Sequence, residues 1–177
     1  MTNQTLFIAN ISGQASPKTI QQLAKVTHEN NGSWITSKIN YLDDQLAGLI
    51  KIACPETKVE IIQSAFNQAE GLTCQFAQSQ ANKHAEDDIY QLRLDSQERS
   101  GIIQEISHIL ERERANILSI ETQRLFLAGR QGINTNLFTS QFRITLPEQT
   151  NIKDIIAELE AITQGIQVID LSATLKQ

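Results

Sequence analysis

The fold is decided by a stretch of sequence that occurs twice in the chain. Residues 6–34 read LFIANISGQASPKTIQQLAKVTHENNGSW, and residues 90–117 read YQLRLDSQERSGIIQEISHILERERANI. Each predicts a strand, a short polar loop and an amphipathic helix. At an offset of about 83 residues, apolar positions of the two copies coincide: Ile20 with Ile103, Leu23 with Ile106, Val26 with Ile109 and Trp34 with Ile117. The chain therefore contains an internal duplication.

Each copy continues with two strands, a second helix and a closing strand. In the first copy, strands are predicted over 34–42 and 45–53 with a turn at Asp43-Asp44, followed by a helix from Pro55 and a strand over 72–78. In the second, alternating apolar residues predict strands over 118–123 and 138–146, a helix from Ile152 and a strand over 166–171. The predicted fold class is α+β, with two ferredoxin-like βαββαβ units whose antiparallel sheets bear helices on one face.

The domain boundaries follow from a polar segment between the copies. Residues 80–87 lack hydrophobic periodicity, so we predict a linker there, between a first domain over 1–79 and a second over 88–177. The second copy also has a longer connection between its middle strands. Residues 126–134 contain two glycines and an arginine, which predict a protruding loop. Such a loop either is simply solvated or contacts a partner.

Charge and hydropathy exclude several classes of function. The net charge is −5, and neither half is basic, with six basic and seven acidic residues over 1–86 and nine and thirteen over 87–177. Direct nucleic-acid binding needs clustered Lys and Arg, so none is expected. No apolar run approaches the roughly 20 residues of a membrane span, and the N-terminus lacks signal-peptide features. We therefore expect no membrane association and a cytoplasmic location.

The residues that usually perform catalysis are not arranged in any known constellation. The histidines His28, His84 and His108 lie in separate elements, and Cys54 and Cys74 are 20 residues apart without a CxxC motif. No nucleophile elbow, P-loop or dinucleotide-binding motif occurs. We therefore expect reduced, structural cysteines, no metal, no cofactor and no enzymatic activity.

The loop before the first helix of the second copy is the candidate binding site. It comprises Gln97, Glu98, Arg99, Ser100, Gly101 and Ile102. The N-terminus of a helix has unpaired N–H groups and a partial positive charge, so it can bind a carboxylate. A glycine there allows a ligand to approach the backbone closely. An ordinary strand-to-helix turn with a small residue remains the alternative.

The same loop resembles the D-R-P-G-I loop of ACT domains, through residues 98–102. Residues 115–121, ANILSIE, resemble the G-x-N-I segment that leads into the second ACT strand. Two such units over about residues 5–175, without a catalytic or helix-turn-helix domain, resemble the glycine cleavage system transcriptional repressor family. Residues 34–39 and 121–124 are also similar to strands of that family.

The resemblance implies a binding site and partners. It implies that a small amino acid such as glycine binds through the second-copy loop together with Asn116 and Ile117, and through Gln14, Ala15 and Ser16 of the first copy. It also implies that the protein represses glycine cleavage genes through a DNA-binding transcriptional activator. Exposed edge strands indicate edge pairing of the units, either within a chain or across a dimer, and a homodimer is expected. The alternatives are an amino-acid-sensing regulatory subunit of a biosynthetic enzyme and an ACT scaffold that binds no ligand.

The chain departs from the family pattern at three positions. Lys18 replaces the loop glycine in the first copy. Ser100 replaces the loop proline in the second copy, and Arg114 stands where the family has a helix-ending glycine. Ligand binding is therefore expected in the second copy more than in the first.

Overall fold

The protein consists of two compact units, Met1–Asn82 and Lys83–Gln177. In a computed structural model of the protein, residues 4–79, 88–128, 134–162 and 167–171 are described. The predicted linker over 80–87 lies outside these residues, so its boundaries stay a prediction.

The first unit is a four-stranded antiparallel sheet with two helices. Its elements are β1 (Gln4–Gly13), α1 (Pro17–Glu29), β2 (Ser33–Leu42), β3 (Gln45–Pro55), α2 (Val59–Asn67) and β4 (Leu72–Gln78). The strand order is β2-β3-β1-β4, so the first strand is central and pairs with β3 and β4. Alternate strand residues such as Ala9, Ile11 and Ile50 are buried with Ile62 and Phe66 of α2, because one face of the sheet is covered by the helices.

The second unit repeats this architecture. Its elements are β5 (Ile89–Gln97), α3 (Ile102–Arg112), β6 (Asn116–Ala128), β7 (Asn134–Thr145), α4 (Ile152–Ala161) and β8 (Gln167–Asp170). The order β6-β7-β5-β8 again makes the first strand central. Leu92 and Leu94 of β5 share a core with Ile106 of α3 and with Ile155 and Leu159 of α4. The predicted α+β class with two ferredoxin-like units is confirmed.

The duplication extends to local backbone details. Shortly after its last residue, the first helix of each unit is followed by a residue of positive φ: Asn31 at 57° after α1, and Arg114 at 55° after α3. The N–H groups of Asn31 and Gly32 donate to the carbonyls of His28 and Thr27, and those of Arg114 and Ala115 donate to Glu111 and Leu110. This pattern is the Schellman motif, which satisfies carbonyl groups at the end of a helix.

A bulge also recurs at equivalent positions of the two edge strands. The β2–β3 register shifts between Trp34 and Thr36, and the β6–β7 register shifts between Ile117 and Ser119. The two sites are 83 residues apart, which is the offset of the sequence alignment. A bulge increases the local twist of an edge strand, so both sheets are shaped in the same way.

Three local predictions are wrong. Residues 126–134 are not wholly a loop, because β6 continues to Ala128, opposite Asn134 of β7; residues 129–133 lie outside the described part of the chain. Pro55 ends β3 instead of opening a helix, and a 3₁₀ turn over Glu56–Lys58 precedes α2. The alternation of Leu118, Ile120 and Thr122 does not produce a half-buried strand, because β6 is an edge strand and Ile120 is 38% exposed.

The left-handed conformation of Arg114 generates a stability prediction. A residue with a Cβ atom costs about 1–2 kcal/mol in this region, partly offset by the lower entropy of its unfolded chain. We expect Arg114→Gly to raise the free energy of unfolding of the second unit by about 0.5–1 kcal/mol. Urea denaturation followed by circular dichroism measures the change.

Asn31→Gly is the matched control, and a smaller gain is expected because asparagine tolerates the left-handed region. An Arg114→Gly variant that is less stable than the wild type would contradict the prediction.

Candidate ligand-binding site

The loop between β5 and α3 is shaped by a glycine. Gly101 is the N-cap residue of α3, with φ 83° and ψ −2°, and this left-handed conformation favours glycine. The next residue, Ile102, is buried in the core and fixes the start of the helix. A Cβ atom built on Gly101 would have no atom within 4 Å, so the space beside this backbone position is open.

Two ion pairs attach this loop to different elements. Arg99 lies on the helix side, where Nη1 and Nη2 donate to Oε1 and Oε2 of Glu105 in α3 at 2.8 and 2.5 Å. Glu98 lies on the strand side, where Oε1 is 3.0 Å from Nε of Arg124 in β6. The backbone N–H of Glu98 also donates to the carbonyl of Asn136 in β7 at 3.2 Å. The loop is therefore held by a helix and by a hairpin.

The Arg99–Glu105 contact shifts the proton equilibria of both groups. The hydrogen bond from Arg99 holds the pKa of the Glu105 carboxyl below its usual range; desolvation opposes this shift, and the positive charge of Arg99 adds to it. The same hydrogen bond raises the pKa of Arg99. Both groups are therefore charged near neutral pH, as a charge-assisted bidentate pair requires.

Two polar atoms next to the loop are buried without a hydrogen-bond partner in the described part of the chain. They are Oγ of Ser96, at the end of β5, and Nε of Arg99. The Ser96 residue is only 1% exposed. Buried polar atoms in folded proteins are usually hydrogen-bonded, so unpaired ones have unused bonding capacity.

An open groove of about 570 Å³ lies beside the N-terminal half of α3. Its described lining residues are Gly101, Gln104, Glu105, His108, Ile109 and Ile162. The aliphatic side chains give it an apolar part, while the amide, carboxylate and imidazole give it a polar part. Such a combination suits a small molecule with one apolar and one charged end.

The predicted site residues of the second unit do not all lie together. Gln97 through Ile102 form the loop, but Asn116 and Ile117 lie elsewhere. At the loop end of the sheet, Gln97 of β5 pairs with Leu137 of β7, which in turn pairs with Leu125 of β6. Ile117 of β6 instead pairs with Ile144 of β7, near the other end of the sheet. The separation along β6 is about eight residues, or roughly 25 Å. Within one unit, Asn116 and Ile117 therefore do not contribute to the groove at α3.

The structure adds residues that the sequence reasoning missed. Arg124 reaches Glu98 only because of the β6–β7 register, and Glu105 reaches Arg99 only because of the loop conformation. His108 of α3 and Ile162, which follows α4, line the same groove because α4 packs against α3. The available signal in the sequence was an acidic residue in the first turn of the helix, Glu105, close to the oppositely charged Arg99.

The equivalent loop of the first unit is more tightly packed. Gly13 has φ 140°, and a Cβ atom on it would lie 2.1 Å from the carbonyl oxygen of Gly71; one on Gly71 would lie 2.2 Å from that of Gln14. The Gln14 amide also donates to the Asp44 carboxylate in the β2–β3 turn. The backbone of this loop is therefore packed closely against the backbone at Gly71.

The three predicted residues of the first unit, Gln14, Ala15 and Ser16, form this loop. Ser16 is the N-cap residue of α1, but its side chain makes no capping hydrogen bond. A polar groove of about 480 Å³ is lined by Gln14, Ser16, Lys18, Thr19, Gln22, Glu70 and Gly71. Lys18 lies in the first turn of α1, because this helix begins at Pro17. It therefore does not adopt the left-handed conformation of Gly101.

The remaining reactive groups give no second site. Cys54 and Cys74 are free, and burial raises the pKa of both thiols, which reduces their nucleophilicity at neutral pH. Among the described residues, no group of three or more His, Cys, Asp or Glu side chains is arranged to hold a metal ion. No helix in that part of the chain is long and apolar enough to cross a membrane.

The low pKa of Glu105 generates a prediction about pH. Because the folded-state pKa lies below the unfolded value, the pair stabilises the protein above about pH 4.3 and loses this effect as pH falls through the folded pKa. We expect Glu105→Gln to lower the melting temperature at pH 7, with the difference from wild type shrinking towards pH 3. Thermal unfolding across this range measures it. A difference that does not depend on pH would contradict the ion-pair origin.

Comparison with known proteins gives similarity in structure only. No protein-family model matches the chain, and no curated protein matches its sequence. The structure of an unknown protein from Galdieria sulphuraria matches with a TM-score of 0.80 and 16% identity, over 96% of this chain and 99% of its own. A proposed glycine cleavage system transcriptional repressor matches with a TM-score of 0.65 and 13% identity, over 94% and 98%. These similarities show the fold, a tandem pair of ACT-like α+β units.

Proposed function

We propose that this chain is a non-catalytic, cytoplasmic regulatory protein that senses a small amino acid at the β5–α3 loop. In this proposal it represses glycine cleavage genes by binding a DNA-binding activator protein. The amino acid, for which glycine is the first candidate, changes the affinity for that partner. The first unit serves mainly as structural support.

The observation that carries the proposal is the extent of the match to a proposed glycine cleavage repressor. The alignment covers 94% of this chain and 98% of that one, so the match extends over both ACT-like units. In this proposal the two units reach a gene through another molecule. The net charge of −5 favours a protein over DNA as that molecule.

The loop geometry supports sensing by the second unit. Gly101 leaves open space next to the N-terminus of α3, and Arg99 supplies a guanidinium group for a carboxylate. In the first unit, the position that corresponds to Gly101 is occupied by Lys18, in the first turn of α1. One sensing unit per chain is therefore the expected stoichiometry.

Affinity capture from the native lysate, with and without glycine, tests this function. We expect a DNA-binding transcriptional regulator, identified by mass spectrometry, to be retained in a glycine-dependent amount. Gly101→Leu is the matched bait, because the open space accommodates a side chain and the backbone strain costs only about 1–2 kcal/mol. This variant should retain the same regulator without responding to glycine.

Other outcomes of the capture separate the alternatives. A catalytic subunit in place of the regulator would indicate a regulatory subunit of a biosynthetic enzyme. Sequence-specific DNA binding by the purified protein alone would overturn the partner-mediated account.

We also propose that the protein forms a homodimer through the edge strand β6. This strand has 13 residues and exposes Ile117, Ile120 and Leu125, which are 38–40% accessible to solvent. The free backbone groups of an exposed edge readily pair with another strand. Pairing two β6 strands would provide hydrogen-bond partners for backbone groups along this edge.

A charge in the middle of β6 tests this dimer. We expect Ile120→Lys to convert the dimer to a monomer in analytical ultracentrifugation, because two lysine side chains would lie near the two-fold axis. Ile61→Lys is the control, since Ile61 is 48% exposed on α2, a helix of the first unit, whereas β6 belongs to the second. A wild-type monomer, or a dimer that Ile120→Lys leaves intact, would contradict β6 pairing.

A further inference from the structure

We propose that Glu105 is a built-in competitor of the ligand: its carboxylate occupies the Arg99 guanidinium to which the carboxylate of a small amino acid would bind. Binding of the amino acid then requires Arg99 to exchange one carboxylate for another. This inference rests on the proposed sensing function and concerns how the same site is regulated.

The geometry of the pair is that of a carboxylate-binding site. Two N–H groups of Arg99 meet two oxygens of Glu105 side by side, at 2.8 and 2.5 Å, in the arrangement in which arginine binds free carboxylates. The Arg99 side chain is 31% exposed and that of Glu105 is 47% exposed, so a dissolved molecule can reach both. Ion pairs at such positions are weak enough to exchange.

The pair leaves hydrogen-bonding capacity unused. Nε of Arg99 and Oγ of Ser96 are buried next to the loop, and neither has a partner in the described part of the chain. Glu105 accepts from two of the five N–H donors of the guanidinium, and Nη1 also lies 3.5 Å from the carbonyl oxygen of Ser100. A ligand that brings additional polar atoms can accept from guanidinium N–H groups that Glu105 leaves unpaired, which gives it an advantage over Glu105.

Glu105 is also fixed in a position to return to Arg99. Its backbone N–H donates to the carbonyl of Gly101 at 3.1 Å, so it belongs to the first turn of α3, beside the open space. A competitor attached to the helix has a high effective concentration at the guanidinium. The site therefore responds only to an amino acid concentration that overcomes this internal carboxylate.

The first unit does not have this pair. At the offset of 83 residues, Ser16 corresponds to Arg99 and Gln22 to Glu105. The first unit therefore has neutral side chains at both positions where the second unit has the charged pair. The competing pair is thus a property of the unit that has the open loop.

Calorimetric titration with glycine, serine and valine tests the proposal on the full-length protein. Glu105→Gln removes the competing charge but keeps the shape, so its dissociation constant should be about two- to fivefold lower than that of wild type. Arg99→Gln should weaken binding at least tenfold. Glu158→Gln is the matched control, because Glu158 pairs with Arg112 at the far end of α3, and its affinity should equal that of wild type.

The outcomes separate this inference from the sensing function. If wild type binds and Glu105→Gln binds equally or more weakly, the competitor is overturned while sensing stands. If Arg99→Gln binds as tightly as wild type, Arg99 is not the carboxylate-binding residue and the inference is also overturned. If neither wild type nor Glu105→Gln binds any of the three, sensing itself fails. Binding by Glu105→Gln alone would support both.

Discussion

The central position of the first strand in each sheet is the constraint on which the rest of the structure depends. β1 and β5 each pair on both sides with strands that follow later in the chain. The loop after a central strand must turn onto the face where the helix covers the sheet. The N-terminus of that helix, with its unpaired N–H groups, therefore lies at the middle of one end of the sheet. This fixes where a ligand loop can be, before any side chain is chosen.

Glycines then make the two loops different. In the first unit, Gly13 and Gly71 permit a backbone contact that leaves no room for a Cβ atom on either. In the second, Gly101 permits a left-handed turn with open space beside it. The same fold thus gives a first loop in close backbone contact with Gly71 and a second loop with open space beside Gly101. Because the difference lies in the backbone, substituting side chains around the first loop would not convert it into a second site.

Much of the fold could be predicted from the sequence because the repeat and its hydrophobic periods are local signals. Ile106 and Leu110 mark the buried face of α3, and Asp43-Asp44 mark a hairpin turn, directly in the chain. The loop predicted over 126–134 was partly wrong, because glycine content indicates a turn but does not show where strand pairing stops. The ion pairs of Glu98 and Arg99 could not be predicted, since they depend on strand register and on loop conformation. The candidate site was therefore harder to predict from the sequence than the fold, because these ion pairs define it.

The two neighbouring ion pairs connect the proposed site to the proposed dimer surface. Glu98 is bound to Arg124 of β6, and the next residue, Arg99, is bound to Glu105 of α3. If Arg99 moves towards a ligand, the neighbouring residue is Glu98, which forms the contact with Arg124 of the edge strand. If a ligand alters that contact, thermodynamic linkage requires dimer formation to alter ligand affinity by the same factor. The adjacent charges of this loop would then be the physical means by which an amino acid concentration changes the assembly of the protein.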